Sequence, residues 1–166
     1  MPSTIFGLPL HPLIVHATVV FVPLAVIAVA AAVLVPRFRR WAGPVPAALS
    51  LVALVLTPLS TSSGENLEHS LPHNQLIEQH AELGDQLIPF TIGLFVLAAG
   101  FWWLDRRRAV AGGPGAKTRD RLRVVTAVVG ALAVLAAVGT GVQVARIGHS
   151  GAKAAWAGTG SGSSDQ

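Results

Sequence analysis

Long apolar stretches alternate with short charged or polar segments along the chain. Residues 13–36, 41–59, 87–104 and 124–145 run without an Asp, Glu, Lys or Arg in their interiors. An α-helix needs roughly 20 apolar residues to cross about 30 Å of hydrocarbon, and these stretches are of that order. Within lipid, backbone N–H and C=O groups must be paired inside the segment, which selects helices. Ten-residue strands of alternating polarity, as a membrane β-barrel requires, are not found. The pattern predicts an all-α integral membrane four-helix bundle. Residues 1–156 form the membrane domain, and the Gly/Ser-rich stretch 157–166 reads as a disordered tail. The first apolar stretch is expected to be a retained span: no Lys or Arg precedes it, and Arg37, Arg39 and Arg40 follow it.

The charges fall into two groups. Arg37, Arg39 and Arg40 follow the first stretch. Arg106, Arg107, Arg108, Lys117, Arg119, Arg121 and Arg123 follow the third. Only Arg146 and Lys153 of the 12 basic residues lie at the opposite end of the spans. The positive-inside rule makes both basic segments cytoplasmic, so both termini and the loop around residues 61–79 are expected outside. The acidic residues lean the other way. Glu65, Glu68, Glu78, Glu82, Asp85 and Asp165 fall outside, while Asp105 and Asp120 fall inside.

Prolines and glycines refine the picture. Pro12 suits the first helical position, with His11 at the N-cap or just before it. Pro72 interrupts any helix arriving from residues 65–69. The third helix is therefore expected to start near His73 in water, enter the membrane near His80 and kink at Pro89. Residues 108–117, with Gly112, Gly113, Pro114 and Gly115, read as a flexible inner loop. Gly93, Gly100, Gly130, Gly139 and Gly141 suit close helix packing within one bundle. A weak internal duplication sets His16…Pro23 against His80…Pro89 at the starts of two spans.

Composition agrees with this architecture. Hydrophobic residues make up 52% and charged residues 12%, roughly half the usual charged share of a soluble domain. The pI near 11.1 reflects the excess of Lys and Arg at the span ends, so no nucleic-acid partner is expected. There is no Cys and no Tyr, and the one Met is the first residue, which removes thiolate, tyrosyl and internal thioether ligands. Any metal chemistry falls to the six His and the few carboxylates.

All six His fall at the outer side: His11, His16, His69, His73, His80 and His149. His11 and His16 open the first span, His80 precedes the third, and His149 follows the fourth. Ionisable groups near membrane depth usually face the bundle interior and carry function. Neutral imidazole ligates haem iron, copper, zinc and nickel. A b-type haem needs one ring on each face and cations near its propionates. His16 and His80 are the expected axial pair, with His149 or His11 as alternate ligand and Arg146 beside the propionates. A divalent Cu, Zn or Ni site needs three or four rings, which His11, His16, His80 and His149 would supply.

Plainer roles compete with these. His11 would merely cap a helix, and His69 and His73 would be solvated in a polar loop. His16 and His80 would bond Glu82 or a loop carbonyl. His149, within Gly148-His149-Ser150-Gly151, would mark a helix stop. Glu78 and Glu82 stand four apart on an exposed turn and form no catalytic pair. No nucleophile triad, P-loop or dinucleotide fingerprint is present. No catalytic residues are assigned, and whether the chain is an enzyme stays open.

The run Gly7-Leu8-Pro9-Leu10-His11-Pro12-Leu13-Ile14-Val15-His16 resembles the LHPxxVH opening of a bacterial four-span membrane family catalogued as domain of unknown function 2231. The segments Glu78-Gln79-His80-Ala81-Glu82-Leu83-Gly84 and Gly148-His149-Ser150-Gly151-Ala152 are similar to later parts of that family. Members commonly carry Phe-Pro after the second His, where Ala17-Thr18 stands here. The resemblance implies His11, His16, His80 and His149 as marked positions, and it brings no established activity.

The leading expectation is a multi-pass protein of a bacterial cytoplasmic membrane whose outward His cluster binds b-type haem for electron transfer or redox sensing. A non-redox divalent-metal module and a structural or partner subunit without cofactor are the alternatives. The lipid bilayer is the first partner, with a membrane redox partner or a second copy of the chain beyond it. A transporter fits less well, because no charged residue lies at mid-depth in any span.

Overall fold

The computed structural model describes residues 4–5, 8–68, 75–110 and 116–156. The structure is all-α, and its strand content is one antiparallel pair of two-residue strands, Thr4–Ile5 and Leu8–Pro9, at the N-terminus. Six helices follow: α1 Leu10–Leu34, α2 Pro36–Ala42, α3 Val45–Glu68, α4 Gln75–Asp85, α5 Leu87–Val110 and α6 Ala116–Trp156.

Prolines and a glycine set most of the boundaries. Val35 is extended (φ −115°, ψ 99°), as a residue before proline prefers, and Pro36 then opens α2. Gly43 closes α2 at φ +53°, a region that favours glycine, and its N–H bonds Arg39 O at 3.1 Å. Residues 41–42 thus end α2, and the second span starts only at Val45, later than the apolar pattern predicted. The helix α5 starts at Leu87. The helix interruption falls at Gln86, however, three residues before Pro89, which sits in the first turn of α5. A proline there removes an N–H that the helix start leaves unpaired anyway.

Four segments have the length and hydropathy to cross a membrane: Pro12–Leu34, Val45–Glu65, Gln75–Ala109 and Arg119–Trp156. They pack as a ring in the order α1, α3, α5, α6, with α1 closing onto α6 and α4 leaning on α6 and α3. The 41 residues of α6 extend about 60 Å at 1.5 Å per residue, so this helix outreaches a bilayer about 40–45 Å thick. It continues through Gly148, His149 and Gly151 to Trp156, so His149 marks no helix stop.

The bundle centre is built from Val22, Ala25 and Val29 of α1, Ala53 of α3, Leu94 and Ala98 of α5, and Ala133 and Ala137 of α6. These positions recur three or four apart, one helical face each. Alanine dominates because close helix approach, rather than escape from water, drives packing in lipid. Large apolar side chains point the other way: Ile27, Leu135 and Val138 are well exposed on the outer surface. Polar groups sit inside with the alanines. Ser50, Thr57, Thr91, Thr126 and Thr140 are essentially sealed. Each hydroxyl donates to a carbonyl of its own helix, as in Thr57 to Ala53 O at 2.8 Å and Thr126 to Leu122 O at 2.7 Å. Thr140 also approaches Phe90 O across to α5 at 3.4 Å, and Thr18 approaches Leu56 O of α3 at 3.5 Å. Among the described residues no buried side-chain polar atom lacks a partner.

Candidate functional site

His16, His80 and His149 lie at the same end of the bundle, because α1 and α4 start there and α6 finishes there. His69 and His73 lie outside the described residues, and so does the Pro72 break expected between them. His11 falls within the first turn of α1, one residue after its start, and its side chain is likewise outside the description.

His80 is the best-held of these rings. It projects from α4 onto the last turns of α6 and is half-buried. Its Nδ1 lies 2.9 Å from Ser150 Oγ, and Ser150 Oγ itself donates to Ile147 O at 2.9 Å. With that hydroxyl turned to the carbonyl, its oxygen is the atom that accepts from His80; in this arrangement a neutral His80 carries its proton on Nδ1 and keeps a lone pair on Nε2. Gly151 makes this approach possible. A Cβ at that position would stand 3.0 Å from His80 Cε1 and 3.4 Å from Nδ1.

His16 repeats the arrangement by other means. Its Nδ1 faces the carbonyl of Pro12, one turn back in α1. A carbonyl only accepts, so the neutral ring is again the Nδ1–H tautomer with Nε2 as the lone-pair nitrogen. The ring is exposed, and its bond runs within its own helix rather than to Glu82 or a loop. His80 likewise bonds Ser150 and not Glu82. The structure thus brings His80 together with the Ser150–Gly151 turn of α6, next to His149 in sequence. His149 is exposed. The ring of His16 turns to its own helix, and among the described residues no three His, Asp or Glu side chains group as a metal cage.

Among the described residues the chain has four apolar helices of membrane length. The family profile described as a predicted membrane protein, DUF2231, matches residues 7–161. The chain belongs to this family. No match was found among curated proteins or among solved structures.

In this DUF2231 member Gln143, which the histidine pattern overlooked, holds the site in place together with Ser150 and Gly151. Gln143 is sealed inside the bundle, and its Nε2 donates to Leu83 O of α4 at 3.0 Å and approaches Gln86 Oε1 at 3.5 Å. It pins α4 to α6 beside the break at Gln86, one turn inward of His80. Arg146, exposed, is turned toward Gln143 Oε1 at 3.5 Å. Gln143 was detectable as the one amide in the otherwise apolar fourth span. Ser150 and Gly151 carried no such signal, because their role depends on a partner 70 residues earlier.

Proposed function

We propose that this protein is a haem-binding electron-transfer or redox-sensing module of the bacterial cytoplasmic membrane, with its histidine end facing out. The arginine-rich segments at the opposite end support that orientation. One observation carries the cofactor reading: His80 Nδ1 lies against Ser150 Oγ and His16 Nδ1 against the Pro12 carbonyl, so Nε2 is the nitrogen of each ring left to act as a Lewis base. Imidazoles that bind metals are held in this way, since the outer bond fixes the tautomer and the ring direction. His80, gripped by Ser150 and Gly151, is the anchoring ligand. His16 is the second axial candidate, with His149 and His11 as alternates. Arg146 supplies a cation at the same rim for the propionates. Bound haem would supply a one-electron couple, and the protein's share is to present nitrogen lone pairs and to set the polarity around them.

A divalent copper, zinc or nickel centre is less well supported. Such a site takes three or four ligands, and the described side chains do not group in that number. Haem asks for only one or two. Protein purified in mild detergent, scanned with and without dithionite, tests the reading. A Soret band that sharpens on reduction and is lost in His80→Ala, with helical content kept, is the expected result. A colourless protein that takes up no added haemin overturns it, and metal analysis of the same sample reads out the divalent alternative.

A further inference from the structure

The opposite end of the bundle carries a cavity of about 590 Å³ where α2, α5 and α6 meet. Five guanidinium groups line it: Arg39 and Arg40 from α2, Arg108 from the last turn of α5, and Arg119 and Arg123 from the first turns of α6. Among the described lining residues Asp105 is the only acidic one. Its Oδ2 lies 3.4 Å from Arg39 Nε, and Arg39 also lies over the Phe101 ring, 5.4 Å from its centroid. Arg39 is thereby held in place with its charge matched, and four guanidinium groups are left without a carboxylate in the lining.

The sequence places these cations deliberately. Arg119 and Arg123 are four apart, so both occupy one face of α6. Val35 and Gly43 bracket α2 so that its seven residues turn back under the bundle and bring Arg39 and Arg40 opposite α6. Like charges from three helices cost free energy when they converge on one cavity. Arginine forks match phosphate oxygens in pairs, so an anion with several oxygens removes that cost.

The depth of the cavity selects the kind of anion. Trp41, Trp102 and Trp103 stand at the same end, and Trp41 and Trp103 are exposed. Arg106 and Arg107 lie over Trp102 and Trp103, at 5.7 Å and 3.8 Å from the ring centroids. Tryptophan with arginine marks the headgroup level of a bilayer. Leu122 adds an apolar wall to the cavity. We propose that this cavity is a binding site for phosphate-ester anions, shaped for a headgroup with two phosphates such as a diphosphatidylglycerol, with each phosphate taken by a pair of guanidinium groups. This site is independent of the histidine end and of any cofactor there.

Native mass spectrometry of the detergent-purified full chain, titrated with cardiolipin, phosphatidylglycerol or phosphatidylcholine, tests the site. A parallel titration uses inorganic pyrophosphate. Cardiolipin is expected to bind about tenfold or more tighter than phosphatidylcholine, as two charge-assisted arginine pairs imply. Arg40→Gln/Arg119→Gln/Arg123→Gln removes that preference. Arg37→Gln/Arg107→Gln/Arg121→Gln deletes the same charge outside the cavity and keeps it. Asp105→Asn strengthens binding by removing the one competing carboxylate. Pyrophosphate that binds with the same dependence on the variants, where lipids do not, supports the site and assigns it to a soluble phosphate anion. Equal losses in the two triple variants, with thermal midpoints alike, overturn the proposal, since diffuse charge would then explain the affinity. Cardiolipin and pyrophosphate binding no better than phosphatidylcholine does the same.

Discussion

Replacing Gln143 by leucine separates two accounts of how α4 is held. If apolar contact alone holds it, a leucine of similar bulk in this sealed position leaves stability unchanged or raises it. The hydrogen bonds argue otherwise. Gln143 Nε2 donates to Leu83 O at 3.0 Å, beside the helix break at Gln86, and Gln143→Leu removes that donor. Interhelical hydrogen bonds between membrane helices average about 0.6 kcal/mol and reach about 1.7. The carbonyl left without this partner sets the scale of the loss at about 1–3 kcal/mol. The gain from burying leucine is small, because lipid is as apolar as the bundle interior. Gln143→Leu is therefore expected to destabilise the bundle by about 1–2 kcal/mol. The contact to Gln86 is longer, 3.5 Å, and Gln86→Ala is expected to cost under about 0.5 kcal/mol. The assay is SDS-driven unfolding from dodecyl maltoside, followed by far-UV circular dichroism. Histidine ¹⁵N spectra provide a second readout: with α4 loosened, the His80 Nδ1–H signal exchanges faster in the variant. A Gln143→Leu protein as stable as the parent, with the His80 signal unchanged, refutes the assignment.

Four further outcomes follow from individual contacts. A Cβ at Gly130 would meet Phe101 Cε2 at 3.0 Å and Val33 Cγ1 at 3.2 Å, so Gly130→Leu is expected to cost about 1–3 kcal/mol in the same assay. Gly93 has open space around it, and Gly93→Ala is expected to be neutral or stabilising by up to about 1 kcal/mol. Ser150→Ala removes the acceptor that fixes the His80 tautomer, so ¹⁵N shifts should move from one dominated by Nδ1–H to a mixture of both forms. Asp105→Asn is expected to lower stability by under about 1 kcal/mol, because both partners of the Arg39 pair are partly exposed, at 27% and 30%. The difference from the parent should shrink as salt is raised and read as a converging pair of thermal midpoints.

The spans were legible because hydrocarbon imposes a simple rule. A charge inside a crossing helix is costly, so the apolar runs announce themselves. The short helix α2 was not legible. Seven residues are too few for an apolar window, and its three arginines read as a loop between spans. Its limits come from backbone chemistry at Val35-Pro36 and Gly43, and these act below the scale of hydropathy. The inward faces of the spans were equally hidden. In water the buried face is the apolar one, but here lipid takes Ile27 and Leu135 while the interior takes Ala53, Thr57 and Thr140. The contrast between inside and outside is one of size and hydrogen bonding, so small residues and hydroxyls mark the core better than hydrophobicity does.

The histidine end shows where reading a single chain stops. That His16, His80 and His149 share one end follows from helix directions alone, and these were fixed by counting spans. What each ring does depends on register between helices far apart in sequence. Leu83 and Gln143 set that register through one hydrogen bond, from the Gln143 side-chain amide to the Leu83 carbonyl, with α4 and α6 running antiparallel. Three residues outward along α4 from Leu83 stands His80, and seven residues outward along α6 from Gln143 stands Ser150. A helix rises about 1.5 Å per residue, so the two points differ in height by about 6 Å, a gap that helix tilt and the length of the imidazole arm close. A slip of one turn would replace Ser150 with Ile147 or Ala154 under the ring, and either would leave Nδ1 without a side-chain acceptor. The Gln143 amide therefore does more for His80 than its distance from the ring suggests. It holds the register in which Ser150 Oγ lies 2.9 Å from His80 Nδ1.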